Sequence, residues 1–217
     1  MDGDGRSLMV WGRTSPPKTL HLILLHGWGA SGDDLLPLGQ ALIEAMAPSD
    51  EAVTLTALEA PDAHPAGGGA RQWYDLNAPG WPGIPAAVAD LGQRLDGALA
   101  KAGNEAVVVL GFSQGAAMAL ETAMARPCAA VIACSGYPHP GWSPEGTMDV
   151  PLLVLHGRDD QVVPVAAAEA IASKVAAAGG RVECHIVSGG HTIGPEAVQH
   201  MAQFLDGLGL MNRGSVS

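Results

Sequence analysis

The chain has 217 residues, of which 47% are hydrophobic, so it can bury one sizeable core. It carries 11 Lys and Arg against 22 Asp and Glu, a formal net charge of -11. A chain without clustered cations is not expected to bind nucleic acid or to associate stably with an anionic membrane. The start, Met1 to Gly5, is acidic and unlike a signal peptide, so we expect a cytoplasmic protein.

Short apolar runs predict buried strands, and segments with helical periodicity lie between them. The apolar stripes of four helices begin at Leu35, Ile84, Val165 and Val198, and a fifth helix, from Gln114 to Ala125, is apolar nearly all round. The strand runs are Leu20–Leu25, Val53–Leu58, Ala106–Leu110, Ala129–Ala133, Leu152–Leu155 and Arg181–Val187.

Strands that alternate with helices predict an α/β fold, a mostly parallel sheet covered on both faces. We expect a single domain over residues 1–217, with a core at about 20–209 and a flexible extension and tail at the two ends. In such a sheet the ligand site lies at the carboxyl ends of the strands. The loops that follow the strands are therefore where chemistry is expected.

The loop after the third strand has the pattern of a nucleophile elbow. Gly111-Phe112-Ser113-Gln114-Gly115 places a serine between two glycines at a strand-to-helix turn. The small flanking residues let helix and sheet approach, and the helix N-terminus favours developing negative charge. Ser113 is therefore the predicted nucleophile.

A serine nucleophile needs a base, and the base needs a carboxylate that holds its tautomer. His191 follows the last strand and is the predicted base, whereas His26 and His156 are interpreted as structural histidines that hydrogen-bond loop backbone. The loop after the fifth strand supplies two candidate acids, Asp159 and Asp160. The chemistry alone does not choose between them.

A tetrahedral oxyanion needs two backbone N–H donors. Gln114, the residue after the nucleophile, supplies the first candidate, and Trp28 in the segment His26-Gly27-Trp28-Gly29 supplies the second. The alternative for the second segment is a glycine-rich turn with no further role.

Large aromatic residues are concentrated in the loops after strands, and four of them are predicted to line the substrate cleft: Trp73, Trp81, Tyr137 and Trp142. The alternative is that they pin long loops through small satellite clusters. No leftover segment has an apolar stripe long enough for a lid domain, so we expect an open cleft for short or medium acyl chains.

The cysteines indicate neither a disulfide framework nor a zinc site, because Cys128, Cys134 and Cys184 show no CxxC spacing. All three are expected to be buried free thiols.

Several motifs together resemble the phospholipase/carboxylesterase group of α/β-hydrolases, which includes the acyl-protein thioesterases. The segment from His26 to Leu35 is similar to its opening motif, and Ala60 to Ala63 followed by Arg71 to Asp75 resembles the second. The segment from Gly111 to Ala116 has the form of the family's elbow. Residues 156–164 resemble the family's acid loop, and residues 190–191 resemble its histidine loop.

The resemblance implies an α/β-hydrolase fold, and it places the acid on Asp160, with Gln161 where the family usually has proline. It also implies hydrolysis of carboxylic esters or thioesters with no metal and no organic cofactor. Small esters, lysophospholipids and acyl thioesters on proteins are the open substrate classes, and a homodimer is possible by analogy with similar proteins. A ligand-binding protein without catalysis on the same fold is the alternative of another class.

Overall fold

The computed structural model describes residues 19–46, 53–144 and 149–210, and its centre is a six-stranded parallel sheet. All six predicted strands are confirmed. They are β1 (Leu20–Leu25), β2 (Val53–Leu58), β5 (Ala106–Phe112), β6 (Ala130–Cys134), β7 (Leu152–Gly157) and β8 (Val182–Val187). Their order across the sheet is β2-β1-β5-β6-β7-β8, so the chain crosses over between non-neighbouring strands, as expected for a sheet covered on both faces.

Five helices and a small ribbon complete the described fold. The ribbon pairs β3 (Asp62–Ala63) with β4 (Arg71–Gln72) in antiparallel fashion. The helices are α1 (Leu36–Met46), α2 (Ile84–Ala102), α3 (Gln114–Thr122), α4 (Ala166–Ala177) and α5 (Pro195–Gly207), and a 3₁₀ turn over Gly32–Leu35 leads into α1.

The helices bury their apolar stripes on the two faces of the sheet. On one face α2, α3 and α4 pack against side chains such as Ile23 and Val109. On the other face α1 and α5 pack against the alternate side chains of the same strands, such as Leu22 and Val108. This alternation along each strand follows from the two-residue period of a β-strand. Because helices cover both faces of the sheet, a ligand can reach only its edges and the loops that follow its strands.

The structure differs from the sequence prediction at a few positions. The α3 helix ends at Thr122, three residues before the predicted end. Cys128 and Cys134 are buried free thiols as predicted, but Cys184 is exposed because it lies on the edge strand β8. The predicted extension and tail fall largely on 1–18 and 211–217, outside the described residues. Among the described helices, none is both long and apolar enough to cross a membrane.

Candidate active site

Ser113 sits on the sharp turn between β5 and α3, with a backbone conformation that few non-glycine residues adopt. Its φ is +54°, and its N–H donates to the carbonyl of Cys134 on the neighbouring strand at 2.9 Å. The turn is closed so tightly that a Cβ on Gly111 would overlap the carbonyl of Gly115. A Cβ on Gly115 would in turn overlap the carbonyl of Leu25. Glycine at both positions is therefore required, as the elbow pattern predicted.

His191 lies within hydrogen-bond distance of Ser113. Its Nε2 is 3.0 Å from Ser113 Oγ, and its Nδ1 is 2.7 Å from Asp160 Oδ2. The imidazole also packs on Phe112, with 4.9 Å between ring centroids. A carboxylate at Nδ1 accepts the ring proton there, which leaves the Nε2 lone pair free to accept the serine proton.

Asp160 is held as a carboxylate on both of its oxygens. Oδ2 accepts from His191, and Oδ1 accepts from the N–H groups of Val162 and Val163 at 2.9 and 2.8 Å. Burial of this side chain opposes its ionisation, but the hydrogen bonds from His191 and the two amides outweigh burial and lower the pKa of Asp160 below its ordinary value. Asp160 is therefore ionised near pH 7.

Among the described residues the Asp159 side chain forms no hydrogen bond with the imidazole, whereas that of Asp160 does. The Asp159 side chain is exposed, and its main chain supports the loop. The N–H of Asp159 donates to the carbonyl of Gly189 at 2.9 Å, and its carbonyl accepts from the side chain of Gln161 at 3.3 Å. Its main-chain bond to Gly189 ties the acid loop to the histidine loop.

The loop that carries His191 is held at its start by the first turn of α5. Glu196 Oε2 accepts from both the N–H and the hydroxyl of Ser188, at 3.1 and 2.7 Å. The hydroxyl and amide hydrogen bonds from Ser188 lower the pKa of Glu196. Together with the Asp159–Gly189 bond, this contact fixes the segment on which the imidazole is presented.

The two predicted oxyanion donors lie on segments that meet beside Ser113. A Cβ on Gly27 would be 3.5 Å from the Cβ of Ser113, so the peptide that joins Gly27 to Trp28 lies next to the serine. Within the described residues, neither the Trp28 nor the Gln114 N–H donates to another group. The β3–β4 ribbon supports the loop after β1 through two main-chain hydrogen bonds. The N–H of Gly29 donates to the carbonyl of Arg71 at 2.9 Å, and the N–H of Arg71 donates to the carbonyl of Ala30 at 2.8 Å.

An apolar cleft of about 660 Å³ opens beside His191, between α1 and α5. Its walls are mainly aliphatic: Leu35, Pro37, Leu38, Ala41 and Ala45 on one side, and Ile193, Pro195 and Val198 on the other. Phe112, which precedes Ser113 in the chain, and His191 also line the cleft, and Asp34 is its one carboxylate among the described lining residues.

The prediction that four aromatic residues wall an open cleft is wrong for two of them. Trp73 and Trp142 are only 1% and 5% exposed and belong to the core. Trp73 donates from its indole to the carbonyl of His26 at 2.9 Å, and Trp142 donates to that of Leu120 at 3.3 Å. A buried indole N–H needs an acceptor, and here it is a backbone carbonyl. These two rings therefore hold loops in place, which was the alternative interpretation of the aromatic residues.

Trp81 and Tyr137 keep part of their surface exposed, with ring centroids 5.6 Å apart, but they do not line the cleft between α1 and α5. Their contact with a substrate stays a prediction. The Trp28 ring is 36% exposed, packs edge-on against His64 and donates to Gln72 Oε1 at 2.9 Å. It does not line the cleft either.

Sequence reasoning missed the cleft between α1 and α5, although α1 carries a signal for it. Pro37, Ala41 and Ala45 recur every four residues and are exposed, beside the buried stripe that contains Leu42 and Met46. Small apolar residues next to a buried stripe widen the apolar face beyond what the core covers. The stripe in α1 could be recognised from the sequence, but its partner wall on α5 could not.

A buried polar network fastens the loop after β4 to α3. The Gln114 side chain accepts from the N–H of Trp73 at 3.0 Å and donates to the carbonyl of Tyr74 at 2.7 Å. The Tyr74 hydroxyl lies 2.8 Å from the Tyr137 hydroxyl and 2.9 Å from His139 Nε2. Burial lowers the pKa of His139 to about 4 and raises the pKa of Tyr137 to about 12, so both are neutral near pH 7.

The depressed pKa of His139 predicts a loss of stability in mild acid. The unfolded chain takes up a proton at His139 near pH 6.5, whereas the folded chain does so near pH 4, so the free energy of unfolding should fall as the pH drops between these values. His139→Gln keeps a polar atom where Nε2 meets Tyr74 and should flatten this part of the profile. Urea unfolding at a series of pH values measures the slope.

Other groups whose pKa is shifted in the folded protein provide the background for that comparison, among them His26, whose lowered pKa acts in the same direction as that of His139. The raised pKa of Glu121, caused by burial, makes stability fall as the pH rises through its folded pKa, which opposes His139. The lowered pKa of Asp160 contributes stability that is lost only as the pH falls below about 3.8, and it does so in both proteins. Equal slopes for the wild type and His139→Gln would contradict the assignment to His139.

The family comparison agrees with this geometry. The model of the family described as Phospholipase/Carboxylesterase matches residues 13–208. The chain belongs to this phospholipase/carboxylesterase family. It is therefore a hydrolase, and its parallel sheet with flanking helices is the α/β-hydrolase fold. The resemblance inferred from the motifs is confirmed.

Solved structures give the same result. Esterase PE8 is 30% identical in sequence, with a TM-score of 0.77 over 87% of this chain and 92% of the esterase. A Bacillus cereus carboxylesterase is 20% identical, with a TM-score of 0.73 over 88% and 90% of the two chains. A Mesorhizobium loti carboxylesterase is 22% identical, with a TM-score of 0.71 over 87% and 88%. The last two show the fold alone. No curated protein sequence gave a significant match.

The donor groups of the site do not form a metal centre. Across residues 19–46, 53–144 and 149–210, no group of three or more His, Cys, Asp or Glu side chains could hold a metal ion.

Proposed function

We propose that this family member is a serine carboxylic-ester hydrolase that acts on short to medium acyl esters through Ser113, His191 and Asp160. The observation that carries the proposal is the continuous pair of contacts from Ser113 Oγ to His191 Nε2 and from His191 Nδ1 to Asp160 Oδ2, at 3.0 and 2.7 Å. The strained backbone of Ser113 at the helix N-terminus supports the same role.

In the first half of the reaction Ser113 Oγ attacks the acyl carbonyl while His191 Nε2 takes the hydroxyl proton. Asp160 stabilises the imidazolium that forms. The tetrahedral intermediate collapses when His191 gives the proton to the leaving alcohol, which leaves the acyl group on Ser113. Water then attacks the acyl-enzyme by the same route, with His191 as the base, and releases the carboxylic acid.

The developing oxyanion is assigned to the N–H groups of Trp28 and Gln114. Their lack of acceptors within the described fold supports this assignment, because a donor that bonds elsewhere cannot stabilise charge. The position of Gln114 as the first residue of α3 adds the favourable end of the helix dipole.

The cleft between α1 and α5 is assigned to the acyl chain. From Pro37 to Ala45 it follows about 12 Å of helix, which suits a medium chain. Each buried methylene should add about 0.8 kcal/mol of binding until the wall ends. We therefore expect kcat/KM to rise over the first carbons, level off, and decline for long chains.

Nitrophenyl esters from acetyl to palmitoyl, run beside a palmitoyl thioester peptide and a lysophospholipid, test this proposal. The expected result is a maximum at a short or medium chain and no rise in rate when the substrate forms micelles. A strong preference for the thioester peptide or for the lysophospholipid would instead assign the enzyme to those substrates. Absence of turnover on every substrate would favour a ligand-binding protein.

Filling the cleft gives a second prediction. Ala41→Trp should lower kcat/KM for octanoyl esters about ten-fold or more, because the indole occupies the space of several methylenes. Acetyl esters, which end near His191, should be hydrolysed at close to the wild-type rate. Kinetics on the two esters measure the ratio.

Gln40→Trp is the matched control, since Gln40 is the neighbouring exposed residue of α1 and does not line the cleft. It should leave the ratio of octanoyl to acetyl hydrolysis unchanged. Equal effects of Ala41→Trp on both esters would place the acyl chain elsewhere.

A further inference from the structure

His26 directly follows β1, is 1% exposed, and both of its ring nitrogens contact backbone groups around it. Nδ1 lies 2.7 Å from the carbonyl oxygen of Gly27, and the N–H of Ala60 lies 3.0 Å from Nε2. The histidine therefore joins the loop after β1 to the loop after β2.

These two contacts fix the tautomer of the ring. The Ala60 N–H can only donate, so Nε2 is the acceptor and carries no proton. Burial lowers the pKa of His26, so the ring is neutral and its single proton is on Nδ1. That proton is donated to the Gly27 carbonyl.

The Gly27 carbonyl and the Trp28 N–H belong to one peptide unit. In a planar trans peptide the C=O and N–H bonds point in opposite directions, so whatever holds the oxygen also aims the N–H. Ala30 N–H reaches the same oxygen at 3.3 Å, and His26 at 2.7 Å is the closer donor. With Gly27 packed against Ser113, the rotation of this one peptide decides where the Trp28 N–H points.

We propose that His26 is a positioning residue, which orients the Gly27–Trp28 peptide so that the Trp28 N–H faces the oxyanion. This inference rests on the proposed function, because it needs the oxyanion of an acyl transfer. Its consequence is that the proton on Nδ1, and not the ring as a whole, supports kcat.

His156 is a matched residue elsewhere in the same fold. It lies in β7, directly before Gly157, is also 1% exposed, and its Nε2 donates to the carbonyl of Val163 at 2.8 Å. The same nitrogen is 3.4 Å from Asp160 Oδ2. Its Nδ1 has no hydrogen-bond partner among the described residues. His26 thus acts on the oxyanion loop through Nδ1, and His156 acts on the acid loop through Nε2.

Asparagine and glutamine separate the two nitrogens. The amide of asparagine reaches the place of Nδ1, and that of glutamine reaches the place of Nε2. H26N therefore keeps the donor to Gly27 and loses the bond to Ala60, whereas H26Q keeps the bond to Ala60 and loses the donor. Each variant gives up one buried hydrogen bond, so a role in stability alone predicts similar losses for both.

The test is the kinetics of both variants on p-nitrophenyl butyrate, with rates normalised to folded protein. H26Q should lower kcat about 10- to 100-fold with KM nearly unchanged, because one oxyanion donor is misdirected. Its affinity for a butyl trifluoromethyl ketone, which forms an oxyanion on the serine, should fall by a similar factor. H26N should stay within about three-fold of the wild type, and the acid limb of the pH–rate profile should not move in either variant.

The order should invert at His156, where H156Q keeps the donor to Val163 and H156N loses it. Full activity of H26Q, equal losses in H26Q and H26N, or the same order at both histidines would overturn the proposal. Should H26Q not fold, a loss of kcat above ten-fold in H26N would overturn it as well. An active Ser113→Ala variant would instead refute the proposed function, so the two failures are distinguishable.

Discussion

Ser113→Ala should lower kcat by about 10⁴-fold or more and leave the fold intact. The hydroxyl oxygen of Ser113 is the one atom that can both bond to the acyl carbon and pass its proton to His191 Nε2, 3.0 Å away. Alanine removes that atom and tolerates the positive φ of the turn no worse than serine does. Initial rates on a nitrophenyl butyrate ester measure the loss.

Ser135 offers a matched control. It directly follows the neighbouring strand β6, is buried, and has a φ of +47°, but among the described residues it forms no hydrogen bond with His191. Ser135→Ala should therefore keep activity within a few-fold of the wild type. More than a few per cent of activity in Ser113→Ala, with a normal free energy of unfolding, would show that another group is the nucleophile.

Asp160→Asn should lower kcat by about 10⁴-fold through the tautomer of His191. The N–H groups of Val162 and Val163 both point at Oδ1, so the asparagine carbonyl must take that position. Its NH₂ group then faces His191 and can only donate. The ring must accept at Nδ1 and keep its proton on Nε2, where it cannot take the proton of Ser113.

Asp159→Asn is the control for this prediction. The Asp159 side chain is exposed and its bonds to the loop come from the main chain, so an amide at this position should cost little. Rates of the two variants on one ester give the ranking. A larger loss for Asp159→Asn would contradict the contact between Asp160 and His191.

The order of strands and helices could be predicted because each burial pattern has its own period. The four inner strands of the sheet are nearly continuous apolar runs, the edge strands β2 and β8 also contain polar residues, and helices such as Ile84–Ala102 carry one apolar stripe. Ser113, Asp160 and His191 could also be predicted to lie at one edge of the sheet, because ligand sites in such folds lie at the carboxyl ends of the parallel strands. Their spacing in the chain says nothing of the distances that join them.

The choice between Asp159 and Asp160 depends on main-chain geometry that one sequence does not contain. The carboxylate that reaches His191 is the one whose loop directs two amides at its other oxygen. The aromatic residues were misplaced for a related reason. A loop position predicts exposure, but the indoles of Trp73 and Trp142 reach backbone carbonyls inside the protein. The cleft was missed because α1 and α5 are distant in sequence.

The central claim is that Ser113 is the activated nucleophile. Treatment with a fluorophosphonate, followed by mass spectrometry of the whole protein and of its peptides, tests it most directly. We expect one adduct per chain, on the peptide that contains Ser113, and greatly slowed labelling in Asp160→Asn but not in Asp159→Asn. An adduct on a different residue, or an unlabelled protein that still hydrolyses esters, would contradict it.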